Sequence, residues 1–301
     1  MSNERPIEIH DEAFRDCMDP DARLELIGDS FEFTEGPVWM PREGCLIFSD
    51  IPGDTLHRWT DAGGVELFRC PSHNANGNTP DLQGNLLTCE HGSRTVTRTS
   101  AGGTVATIAS TYGGRLLNSP NDIVVKSDGT IWFTDPHYGI SVEQREQPAN
   151  YVFRLDPGAE EPVPVADDFA MPNGLCFSPD ESLLYIADTG ASHREDGPRH
   201  IRTMTVSGDG KTLGGGEVFA TCPVGMFDGF RVDIHGNVWT STGEGVYCYT
   251  PEGDLIGKIL TGEVVANVEF GGIKRNRLYM CCTTTLQAVY LNTRAAFRPG
   301  S

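Results

Sequence analysis

The sequence predicts an all-β fold, a six-bladed β-propeller whose last blade is closed by the N-terminal strand. Three observations carry that prediction: one local pattern repeated six times, an excess of glycine, and a strand missing at the C-terminal end that is matched by a spare one near the N-terminus. Glycine supplies 35 of 301 residues, about 12%, against a usual ~7%, and so much glycine calls for many turns and many short strands.

Each repeat starts at an acidic or amide residue: Glu35, Asn76, Asn121, Asn173, Asp228 and Asn267, spaced by 41, 45, 52, 55 and 39 residues. That is the length of a four-stranded propeller blade. The apolar run that follows starts 10 residues after the anchors at 76, 121 and 228 and 11 residues after those at 35, 173 and 267. These second strands are Leu46–Ser49, Leu86–Cys89, Ile131–Thr134, Leu184–Ala187, Val238–Ser241 and Leu278–Cys281. Third strands are predicted at Thr55–Trp59, Thr95–Ser100, Tyr151–Leu155, Ile201–Val206, Val246–Thr250 and Leu286–Leu291. A fourth follows in only five units: Val65–Cys70, Thr104–Ser110, Pro162–Asp167, Glu217–Cys222 and Leu255–Leu260. The chain ends without a sixth, and the spare strand, Arg23–Ile27, precedes the first anchor; pairing the two removes an open sheet edge. A β-sandwich would also be rich in glycine and short strands, but it predicts neither six matching registers nor a missing strand matched by a spare. One short helix is expected near Ile9–Cys17, and the glycine run Gly214–Gly216 is expected in a hairpin. The expected organisation is an extension over 1–22 and one catalytic propeller over 23–301.

Composition narrows the partners. With 23 Lys+Arg against 42 Asp+Glu, the net charge of −19 opposes binding to nucleic acid or to an anionic membrane, both of which need clustered cations. The first twenty residues are polar and no stretch nears ~18 apolar residues, so a cytoplasmic protein is expected. Nine cysteines show no CxxC or zinc-finger spacing, and they are expected to be small buried hydrophobes.

The first strand of a propeller blade lines the central channel, so the six anchors converge there. Two carboxylates and four carboxamides are costly to bury without partners. Oxygen donors carrying two negative charges suit a hard cation such as Ca²⁺, with Mg²⁺ or Mn²⁺ compatible and Zn²⁺ a poorer match. Further hydrogen-bonding groups are expected at the mouth from Arg115, Asn118, His91, His137 and Tyr138, which lie in loops flanking channel-side strands. His10, His73, His193, His200 and His235 are expected to be surface groups, and the insertion Ile140–Asn150 is expected over the channel mouth. No Gly-x-Ser-x-Gly elbow, Walker loop or dinucleotide fingerprint occurs.

Five blocks resemble the senescence marker protein/gluconolactonase family: Phe33-Thr34-Glu35-Gly36-Pro37-Val38-Trp39, Asn118-Ser119-Pro120-Asn121-Asp122, Phe133-Thr134-Asp135-Pro136-His137-Tyr138-Gly139, Met171-Pro172-Asn173-Gly174-Leu175 and Phe227-Asp228-Gly229. Cys89-Glu90-His91-Gly92 is similar to its bacterial gluconolactonase branch. The resemblance implies a six-bladed propeller holding one divalent cation, usually calcium, and hydrolysis of a small lactone. It implies Glu35, Asn173 and Asp228 as metal ligands, with Asn121 completing or flanking the sphere, and Asp228 as the catalytic base that activates water. Two rival functions are a phosphotriester or fluorophosphate hydrolase using the same cation, and a non-catalytic binding propeller with calcium as a plug.

Overall fold

The computed structural model describes residues 6–296, so the outer limits of the expected extension and domain lie outside the described residues. Six antiparallel sheets follow one another. Blade one is Thr34–Met40, Cys45–Asp50, Thr55–Thr60 and Gly64–Arg69, and blade two is Ala75–Pro80, Leu86–Glu90, Thr95–Thr99 and Val105–Ala109. Blade three is Ile123–Val125, Ile131–Asp135, Tyr151–Leu155 and Val163–Ala166, and blade four is Pro172–Phe177, Leu183–Asp188, His200–Val206 and Leu213–Thr221. Blade five is Phe230–Val232, Val238–Ser241, Gly245–Tyr249 and Leu255–Leu260. In blade six, Val265–Gly271, Arg277–Cys282 and Thr285–Tyr290 are completed by the N-terminal strand Glu25–Gly28, which pairs Glu25 with Ala288 and Leu26 with Gln287. The spare strand and the missing strand thus meet as predicted.

Burial explains why these short runs form sheets. Each inner strand is buried along its whole length, whereas an outer strand such as Gly64–Arg69 is largely exposed. Aromatic side chains fill the spaces between blades: Trp132 of blade three meets Phe177 of blade four edge-on at 5.5 Å, and Trp39 of blade one stacks on Tyr279 of blade six at 5.9 Å. All nine cysteines are free and all but Cys70 are buried, consistent with the packing role expected of them.

Glycine after an anchor has a packing reason. A Cβ on Gly36, whose φ is +52°, would lie 1.9 Å from the Asn76 carbonyl oxygen, and one on Gly174 would lie 2.1 Å from that of Asp228. Only glycine lets neighbouring inner strands approach so closely around the channel.

Gly214–Gly216 lie in a blade hairpin as expected, in its outer strand Leu213–Thr221, which pairs with His200–Val206; the strand bulges there, and Arg202 occupies the space where a Gly216 side chain would be. One local expectation is corrected. The helix is shorter than Ile9–Cys17 and covers Ala13–Cys17, because Ile7–Ile9 is instead a fifth strand on the outer edge of blade five, pairing Ile7 with Ile259. Phe14 of that helix is fully buried, 5.7 Å from the Trp239 ring and against Gly257. Phe14→Ala is expected to cost about 3–5 kcal/mol, read as a lowered midpoint in urea; a change under about 1 kcal/mol would mean that the N-terminal segment does not stabilise blade five.

Candidate functional site

The anchors converge at one end of the channel. An amide chain runs across blades two to four: Asn76 Nδ2 donates to Asn121 Oδ1 at 2.7 Å, Asn121 Nδ2 to Asn173 Oδ1 at 2.5 Å, and Asn173 Nδ2 to Thr189 Oγ1 at 3.2 Å. On the other side, Asn267 Nδ2 donates to Glu35 Oε2 at 2.9 Å, and the Gly36 N–H donates to the same oxygen. Ser241 Oγ accepts the Asp228 N–H at 3.0 Å, and Asp228 keeps some exposure to solvent. Burial first and the charge of Asp122 next push the Glu35 carboxyl up to about 7, while burial, then the charges of Glu35 and Asp122, hold the Asp228 carboxyl well above the usual carboxylate range. Beneath them Arg231 is fully buried, and its Nε donates to Glu269 Oε2 at 2.7 Å.

Glu35, Asn121, Asn173 and Asp228 are therefore brought to one place. Their donors are all oxygens, with two acidic anchors set among carboxamides. That donor set fits a hard divalent cation. Among the described residues no group of three His, Cys, Asp or Glu side chains is placed to hold a metal ion, so this set joins two carboxylates to two carboxamides.

The expected mouth residues divide. His91 is buried, with Nε2 3.2 Å from Asn121 Oδ1 and 3.3 Å from Asn76 Nδ2. Burial depresses its pKa to about 4, so the ring is neutral. The Tyr138 hydroxyl bonds to Thr189 Oγ1, beside Asn173 and Asp228, and burial raises its pKa to about 12. His137 Nδ1 lies 2.9 Å from Asn150 Oδ1. Its ring is 5.2 Å from that of His193, which also packs 5.4 Å from Tyr138. His193 is exposed, as expected, yet it belongs to this rim, placed by Ser192 Oγ at 2.8 Å from its Nδ1. It follows a 3₁₀ turn, Gly190–Ser192, in the loop between the second and third strands of blade four.

Arg115 is exposed on the hairpin formed by Thr111–Tyr112 and Arg115–Leu116, and its carbonyl accepts from Gln147 Nε2 at 3.1 Å. Among the described residues, its side chain makes no hydrogen bond to the anchor ring. Asn118 is corrected: it is fully buried, its Nδ2 donates to the carbonyls of Asp135 and Ala149, and so it fastens the insertion instead of facing the mouth. The insertion itself is pinned to the 111–116 hairpin by Gln147 and Glu146 and to Ala170 by Asn150, which builds one wall beside His137.

Comparison with known proteins agrees with this geometry. The SMP-30/gluconolactonase/LRE-like region matches residues 33–284. A gluconolactonase from Zymomonas mobilis is 29% identical over 281 residues, covering 84% of this chain and 77% of that protein. Among solved structures, the gluconolactonase XC5397 from Xanthomonas campestris superposes with a TM-score of 0.88 at 34% identity, covering 95% of this chain and 94% of that one. The calcium-binding protein regucalcin from Agrobacterium tumefaciens shares the fold, with a TM-score of 0.74 at 19% identity over 91% and 97% of the two chains. The repeat, the closed ring of blades and the match over 33–284 together place the chain in the SMP-30/gluconolactonase family.

Proposed function

We propose that this chain opens the ring of sugar-acid lactones with one divalent cation, most simply Ca²⁺, held by Glu35, Asn121, Asn173 and Asp228, and with Asp228 as the base. That it is a lactone-hydrolysing enzyme follows from its kinship with gluconolactonases and lactonohydrolases; the cation, the base and the substrate class are inferred. The single observation that carries the inference is the pairing of Glu35 and Asp228, two carboxyls raised chiefly by burial, in a ring otherwise made of carboxamides.

When bound, the cation would polarise the lactone carbonyl and stabilise the negative charge that develops on its oxygen. Asp228 is suited to take the proton of the attacking water, since no side-chain donor occupies its carboxylate. Glu35 is tied down by Asn267 and the Gly36 N–H, which fits a pure ligand. His91, neutral, and Tyr138, protonated, present a polar wall to the hydroxyls of a polyol, with His137 and His193 further out and Arg115 available for an anionic group. Such a wall favours sugar lactones over apolar phosphotriesters. The test is proton release from a panel of aldonolactones beginning with D-glucono-δ-lactone: acceleration at least ~10³-fold over the spontaneous rate is expected, and no acceleration across the panel would leave the binding-scaffold function in its place.

A further inference from the structure

Three blades share a device that the others lack. In blade one, Asp50 Oδ2 and Oδ1 accept the N–H groups of Glu32 and Phe33, both at 3.0 Å. In blade three, Asp135 takes those of Asn118 and Ser119, both at 2.8 Å. In blade four, Asp188 takes those of Ala170 and Met171, both at 2.9 Å. Each aspartate is the last residue of its second strand and is buried. Each grips the amides three and two residues before the anchor of its blade: Glu35, Asn121 and Asn173. One oxygen on each of two successive amides fixes both the position and the rotation of the loop that delivers the anchor.

The other blades break the pattern. The matching strand end in blade two is Glu90, whose carboxylate turns away to Arg69, Ser93 and Thr97. In blade six it is Cys282. The anchors of these two blades, Asn76 and Asn267, are the two carboxamides that stand outside the proposed ligand set. Blade five delivers Asp228 through the Ser241 hydroxyl. The carboxylate clamp therefore coincides with the blades that supply Glu35 and the two carboxamide ligands. It is not a general requirement of the blade.

We infer that Asp50, Asp135 and Asp188 are positioning residues for the cation ring, each holding rigid the loop from which one ligand projects; the inference rests on the cation site proposed above. Metal sites depend on such outer partners, whose loss typically weakens affinity by ~10–100-fold. The chemistry suits the task, because a carboxylate accepting two charge-assisted backbone bonds holds a loop more stiffly than a hydroxyl or amide can. Neutral carboxamides are weak ligands for a hard cation and depend on preorganisation more than a carboxylate does.

The test is a titration of the chelated full-length protein with Ca²⁺ and, separately, Mn²⁺, by calorimetry and by recovery of lactone hydrolysis. Asp50→Asn, Asp135→Asn and Asp188→Asn are each expected to weaken the dissociation constant by ~10–100-fold, with kcat at saturating Ca²⁺ returning to within about threefold of wild type. Asp233→Asn is the control. Asp233 Oδ1 also accepts two backbone N–H groups, those of His235 and Asn237 at 2.9 and 3.0 Å, while its Oδ2 accepts from the Asn237, Trp239 and Thr293 side chains, and it sits at the far end of the blade-five inner strand. This control is expected to lower thermal stability and leave cation affinity unchanged. Three independent clamp variants keep the test open should one fail to fold. Folded clamp variants with wild-type affinity, or an Asp233→Asn protein equally weakened, would overturn the inference. A wild-type protein that bound neither cation would overturn the reading of the site itself, and this inference with it.

Discussion

Asp228→Asn abolishes lactone turnover and at the same time makes the cation-free protein more stable. The first effect follows from the loss of the proton acceptor. A carboxamide can still offer an oxygen to a cation but cannot take a proton from water, and losing a general base costs ~10²–10⁴-fold in rate. Cation binding is weakened but measurable, because one of two negative charges is gone while the oxygen remains. The second effect has the opposite sign. Asp228 is held well above the usual carboxylate range by burial and by Glu35 and Asp122, so at neutral pH its charge works against the folded state, and a neutral isostere removes that cost. A rise in Tm in chelator, together with loss of proton release from the lactone, is the expected pair of results. Full activity in the variant would remove Asp228 from the role of base.

Chelation is expected to have the next largest effect, bringing lactone hydrolysis to the spontaneous rate and lowering Tm by an amount that grows with pH. In the cation-free protein Glu35 and Asp228 both have raised pKa values. Groups raised in this way favour the fold fully below the ordinary carboxylate range, and their contribution is lost as pH climbs through the raised values. The loaded protein behaves in the opposite way, since binding needs the carboxylates ionised. Melting curves in EDTA and in excess Ca²⁺ should nearly coincide near pH 5 and separate at pH 8. Coincident curves at both values, with hydrolysis unchanged, would show that no cation is used.

The ring of anchors was legible because a propeller repeats its chemistry at fixed spacing, so residues 232 apart in sequence, such as Glu35 and Asn267, could be assigned to one channel before any contact was known. The clamp was legible too, yet it lay one residue beyond where the apolar runs were seen to end: Ser49, Thr134 and Ala187 are each followed by the aspartate that grips the anchor loop. A polar residue closing an apolar run looks like the start of a turn. Only the bonds it makes 16 to 18 residues back along the chain show otherwise. Asn118 was misjudged for a related reason: it lies in the anchor block yet turns its amide to backbone carbonyls, whereas His193 is exposed as expected and its place on the rim came only with its ring contacts to His137 and Tyr138. Local pattern carries strand register well, but it carries the direction of a loop side chain poorly.

The N-terminal segment places Ile7–Ile9 on the rim of blade five and Glu25–Gly28 in blade six, so a single stretch of chain straps two adjacent blades before the first blade begins. Under tension applied at the N-terminus, the three-residue strand on blade five carries the load first and shields the joint that makes the ring continuous. Once it peels away, the pull passes to Glu25–Gly28, the outermost strand of blade six. Losing that strand would leave blades six and one joined through their inner strands, where Asn267 of blade six donates to Glu35 of blade one, so the closing joint of the ring and one of its two acidic anchors share a hydrogen bond.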